Sequence, residues 1–169
     1  MPSRLCHLAV VAALAAGIPS PAAPPVRIHQ LLAGPAGFLE LRNPTAAPVP
    51  LDGWSVLSCH GTTLTELARF PAGSTVVGGG AFVLAGLDFA GERDADLLVP
   101  SVPGTGQLLL DGHQARVDGV AVAPDSPCRE NEAASPCPGP LSRDALSTDT
   151  DNNRVDFGCP LPPAAQPQR

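Results

Sequence analysis

Gly37-Phe38-Leu39-Glu40-Leu41-Arg42-Asn43 decides the fold class. In an extended chain successive side chains alternate, so Leu39 and Leu41 point one way and Phe38, Glu40 and Arg42 the other. Asn43-Pro44 ends the run, because proline forces the residue before it out of helical geometry and favours a turn. Upstream, Gly34-Pro35-Ala36-Gly37 reads as a turn, preceded by a half-buried strand in which Val26, Ile28 and Gln30 alternate with Arg27 and His29. Downstream, residues 51–58 form the next unit, with Asp52-Gly53 turning the chain into Trp54, Val56 and Ser58.

The same rhythm continues. Residues 66–70 read as a strand closed by Pro71-Ala72-Gly73. Residues 74–77 and 81–85 flank Gly78-Gly79-Gly80, a compact turn of the hairpin kind. Residues 86–106 are loop-like, with brief pairing expected at 97–99. Residues 107–110 and 115–122 flank Asp111-Gly112, the strongest hairpin signal in the chain. There Asp118-Gly119 separates Val117 from Val120 and Val122, which predicts a bulge. No segment beyond residue 22 has helical periodicity. Short apolar runs broken by turns every ten or so residues predict an all-β sandwich.

Composition agrees. The 169 residues hold 21 prolines and 17 glycines, which suit strands joined by turns and not helices. The hydrophobic fraction, 44%, is enough for a packed core. Arg4, the apolar run from Leu8 to Ile18 and the small residues Ser20-Pro21-Ala22 have the pattern of a cleaved signal peptide over residues 1–22. The run is shorter than the roughly 20 apolar residues of a transmembrane helix. Cleavage would leave nine arginines and no lysine against sixteen acids, a net charge of −7. That sign opposes nucleic-acid binding. A secreted domain over residues 23–158 with a proline-rich tail over 159–169 is therefore expected.

Cys59, Cys128, Cys137 and Cys159 remain after cleavage, an even number that reads as two disulfides in an exported chain. Their spacing lacks the close pairs of a zinc site. Three pairings are possible. The reading favours Cys128–Cys137 closing a surface loop and Cys59–Cys159 tying the tail to the body.

Phe38-Leu39-Glu40-Leu41-Arg42-Asn43 followed by Leu51-Asp52-Gly53-Trp54-Ser55-Val56 resembles the opening of the lamin tail domain. The resemblance continues through residues 70–75, 80–84 and 107–122. It ends on Leu141-Ser142-Arg143, Asp149-Thr150-Asp151-Asn152-Asn153 and Asp156-Phe157, in the manner of the bacterial, exported branch. The resemblance implies an immunoglobulin-like β-sandwich used for attachment and partner binding. In nuclear relatives the domain contacts proteins and, in some cases, DNA; in bacteria it often accompanies exported hydrolases and nucleases. The cysteines stand outside the family pattern, and the acidic charge argues against DNA contact.

No Gly-x-Ser-x-Gly nucleophile elbow occurs. His29, His60 and His113 fall on a strand face, a loop start and a hairpin turn, and Ser55 sits inside a strand, so no triad is expected. Glu40 and Arg42 share a strand face, where cross-strand salt pairing is the expected role. Trp54, with Phe38 and Phe70, is expected to anchor the core. Asp149, Asp151, Asn153 and Asp156 place oxygen ligands at calcium-loop spacing. Arg154 and Pro160 stand where an EF-hand needs glycine and glutamate, so ordinary Asx turns are the competing account. The expectation is a non-catalytic exported module that binds an extracellular or cell-surface protein, with no cofactor beyond a candidate calcium ion. The alternative is an accessory domain that binds extracellular nucleic acid or polysaccharide for a separate hydrolase.

Overall fold

The computed structural model describes residues 25–160. The signal-peptide segment and residues 161–169 of the tail lie outside them. The described residues form eleven strands and one helical turn. The strands are β1 (Arg27–Leu32), β2 (Phe38–Arg42), β3 (Val49–Pro50), β4 (Ser55–His60), β5 (Thr63–Arg69), β6 (Thr75–Val76), β7 (Ala81–Gly86), β8 (Leu97–Val99), β9 (Gly106–Leu110), β10 (Arg116–Ala121) and β11 (Leu141–Ser142); the helical turn is α1 (Asn153–Asp156). No helix among them is long and apolar enough to cross a membrane.

One five-stranded sheet runs β11-β1-β2-β7-β8, a four-stranded sheet runs β10-β9-β4-β5, and β3 pairs with β6. All pairs are antiparallel except β7 with β8. The two larger sheets share one core. Ile28, Leu31, Leu39, Leu41, Phe82 and Leu84 of the first meet Val56, Leu109 and Val120 of the second, together with Trp54 and Phe70. Phe70 stacks edge-on against Phe82, with ring centroids 5.3 Å apart. Phe38 is only half-buried and pairs with Phe89 on the other side of its sheet. It is therefore not part of this core, in keeping with its phase opposite to Leu39 and Leu41.

Two local expectations are corrected. The register of β1 against β2 slips between Ile28 and Gln30, so Leu31 rather than Gln30 continues the buried row begun by Val26 and Ile28. The bulge inserts one residue and so inverts the alternation beyond it. The triple glycine does not join a hairpin, because β6 pairs with β3 and β7 pairs with β2. Its backbone is claimed by residues 43–47: Gly79 N–H donates to the Thr45 carbonyl and Asn43 N–H to the Gly80 carbonyl. A Cβ at Gly78 would collide with the Ala46 carbonyl. The β9–β10 hairpin forms around Asp111-Gly112 as expected, with residues 111–115 as its loop. Asp111 and Ala115 still pair by backbone, Asp111 Oδ1 caps the N–H groups of His113 and Ala115, and Gln114 takes the left-handed conformation at φ 64°.

The disulfides are Cys59–Cys128 and Cys137–Cys159, neither of them the favoured pairing. Cys59, at the end of β4, lies on the face of its sheet turned away from the main core. There it joins Leu108, Ala121 and Cys128 in a small second cluster. The segment carrying Cys128 runs close over β10, where a side chain at Gly119 would collide with the Cys128 carbonyl. Cys137–Cys159 closes the loop that contains β11 and α1.

Candidate functional site: a buried arginine ringed by carboxylates

β11 pairs with β1 only at Gln30 and Leu31, so Ile28 has no strand partner on that edge. Side chains supply what a strand would. The Ile28 N–H donates to Asp118 Oδ2 at 2.6 Å, and its carbonyl accepts from Arg143 Nε at 3.0 Å. Arg143 Nη2 then closes on Asp118 Oδ1 at 2.9 Å, with both side chains completely buried. The predicted bulge makes this possible: the β9–β10 register shifts between Arg116 and Asp118, and Asp118 points inward.

The other guanidinium nitrogen, Nη1, donates to Asp156 Oδ2 at 2.8 Å, Asp149 Oδ1 at 3.2 Å and the Thr148 carbonyl at 2.8 Å. Glu130 Oε2 stands 3.7 Å from Nη2, an ion-pair distance. The Phe157 ring lies under the guanidinium, with its centroid 4.5 Å from Cζ, a cation–π contact. Two more arginines flank the ring of carboxylates, Arg27 on Asp149 at 2.6 Å and Arg116 on Glu130 at 3.6 Å.

Electrostatics follow from this geometry. Burial alone would lower the Arg143 pKa, but Asp118, Asp149 and Asp156 hold it above its ordinary value, so the guanidinium stays charged. Burial pushes Asp118 up, against the pull of Arg143 and the N–H groups of Ile28 and Gly119. Burial would also raise Asp156, yet the hydroxyl and N–H of Thr150 and the Arg143 charge bring it below the usual carboxylate range. Glu130 is raised to about 8, first by burial and then by Asp118 and Asp149.

Asp118, Glu130 and Asp149 bring carboxylate oxygens within 4.8 Å of one another, a metal-like spacing. The donor set does not fit a cation, because each of these carboxylates already faces Arg143 and the guanidinium occupies the charge-balancing position. Nor do the four calcium candidates share a centre. Asp149 faces Arg27 and Arg143, and Asp156 faces Thr150 and Arg143. Asp151 is exposed at φ 55°. Asn153 turns to the far side. Its Oδ1 accepts from the N–H groups of Ala121 and Glu130, while Nδ2 donates to the Gly119 carbonyl and Glu130 Oε2. Asn153 satisfies its whole amide in this way and pins α1 to β10 and the Glu130 segment.

The histidines are not brought together. His60 ends β4 exposed, His113 sits in the hairpin turn, and His29 is buried with Nδ1 2.8 Å from Ser147 Oγ. Burial, then Arg42 and Arg143, lower the His29 pKa, so its imidazole is neutral at pH 7. Ser55 is buried, and its Oγ has no hydrogen-bond partner among the described residues. Glu40 is half-buried and its pKa is raised by that burial, with no ion pair to Arg42. Sequence reading missed Asp118, Glu130 and Arg143 as a unit. The available signal was Asp118 itself, an acid in the inward phase of the strand carrying Val120, which requires a buried cation. No protein-family model matches the chain, and no curated protein matches it significantly.

Proposed function

We propose that the chain is a non-catalytic, lamin-tail-like module, an immunoglobulin-like β-sandwich that acts outside the cell as a structural or protein-binding domain. The observation that carries this reading is the fate of its charged interior. The Arg143 centre gathers Asp118, Glu130, Asp149 and Asp156, and its groups are engaged with one another and with the backbone of β1 and β10. Such a centre fixes a fold, and its carboxylates face Arg143 rather than a substrate. The motifs behind the lamin-tail resemblance support the sandwich: Leu39, Leu41, Leu51, Trp54 and Val56 all belong to the core common to the two larger sheets. Both disulfides support an oxidising compartment.

Affinity capture with tagged residues 23–169, from the producing cell's envelope and culture fluid, tests this reading. The expected result is saturable capture of one protein that is competed by untagged chain, with no hydrolysis of ester, phosphodiester or peptide substrates. Turnover that is abolished by a single substitution would overturn it. Salt-sensitive retention of DNA would favour the accessory-domain alternative.

A further inference from the structure

Two adjoining cavities open beside the Cys137–Cys159 bridge. The first, 240 Å³, has an apolar wall made by Leu31, Leu32, Val122, Pro136 and Leu141, and Cys137 lines it. The second, 470 Å³, shares Val122 and Pro136 with the first and is bordered by Arg129 and Arg154. Together they form a trough, apolar along one part and basic at the other.

The basic end stands out on this chain, whose overall charge is −6. Glu132 is the single acid in the lining of the second cavity, against two arginines. Arg154 makes no ion pair among the described residues, and Arg129 donates to a neutral acceptor, the Asn131 carbonyl. Arg27, Arg116 and Arg143 each face an acidic side chain; among the described residues Arg129 and Arg154 have no such ion pair. A local positive site on an acidic surface selects for a negative group and repels others elsewhere, which fixes both partner and register.

We propose that this trough receives an extended peptide of a partner protein, apolar side chains on Leu31, Val122 and Pro136 and an Asp or Glu carboxylate between Arg129 and Arg154. The proposal rests on the protein-binding reading above and gives it a surface. The Cys137–Cys159 bridge holds one wall in place, so little ordering is required when the peptide docks.

Fluorescence anisotropy on the oxidised full chain tests it. The probes are fluorescein-labelled hexapeptides of alternating Leu and Pro with two Glu at one end or the other, and their Gln counterparts. One of the Glu probes binds saturably; replacing Glu by Gln, or Arg129 and Arg154 by Gln, weakens it about fivefold or more. Equal binding of the Glu and Gln probes overturns the proposal, as does no binding by the full chain. If a chain cut after Pro160 binds where the full chain does not, the trough belongs to residues 161–169. If self-association disappears in Arg129→Gln/Arg154→Gln, it belongs to a second copy; either result overturns the partner peptide. Failure of the probes beside successful affinity capture removes the trough and leaves the module reading intact, whereas failure of the capture strikes that reading itself.

Discussion

Arg143 and Asp118, 25 residues apart in sequence, meet at 2.9 Å with neither side chain reaching solvent. Between them they complete the hydrogen bonding of Ile28, Asp118 taking its N–H and Arg143 filling its carbonyl. The pair thus joins β1, β10 and the segment after β11 where no strand ladder runs. A buried ion pair gives little net stability against an apolar replacement, but losing one partner strands the other in a low-dielectric interior.

Arg143→Lys tests the geometry of the guanidinium. An ammonium cannot span Ile28, Asp118 and Asp156 at once. The variant is expected to lose about 2–3 kcal/mol in urea unfolding, although the charge is retained.

Glu130 contributes a pH dependence to stability. Its folded pKa, about 8, lies above the ordinary 4.5, so the folded state binds the extra proton between those values. Stability from this group is full below pH 4.5 and declines as pH rises through 8. Glu130→Gln should therefore flatten the fall in melting temperature between pH 6 and pH 9 and gain about 1–2 kcal/mol at the alkaline end, after solvent screening. A steeper fall in the variant would refute this assignment.

Peptide mapping under non-reducing conditions should find Cys59 linked to Cys128 and Cys137 linked to Cys159. The sequence separations are 69 and 22 residues. In the chain-entropy model, replacing Cys59 and Cys128 by Ser costs about 4 kcal/mol and replacing Cys137 and Cys159 about 3 kcal/mol.

Ser55→Ala removes a buried hydroxyl that lacks a partner among the described residues. It is expected to be neutral or stabilising by about 1 kcal/mol in thermal unfolding, because the desolvation cost disappears with the group. A loss of more than about 1 kcal/mol would mean that the hydroxyl is bonded, for instance to a buried water.

Strand content was legible because alternation is local. Phe38 to Arg42 and the Asp118 bulge can be read within a window of a few residues. The phase of β1 was not, because the slip at His29 depends on what β2 and Arg143 do to it. The triple glycine misled for a similar reason: its partners are residues 43–47, and nothing inside 74–85 reveals them. Disulfide pairing depends on which sheet face Cys59 occupies and on how residues 123–128 cross β10, both nonlocal facts. The Asp149–Asp156 stretch showed its oxygen-rich character, but the cation it faces is an arginine supplied six and thirteen residues upstream.

A double-mutant cycle on Asp118→Asn and Arg143→Met, followed by urea unfolding, tests the central claim most directly. If the pair is the internal clasp of the fold, each single change costs about 3–5 kcal/mol and the double change costs well under their sum, because the stranded charge is removed with its partner. Costs that simply add would contradict it.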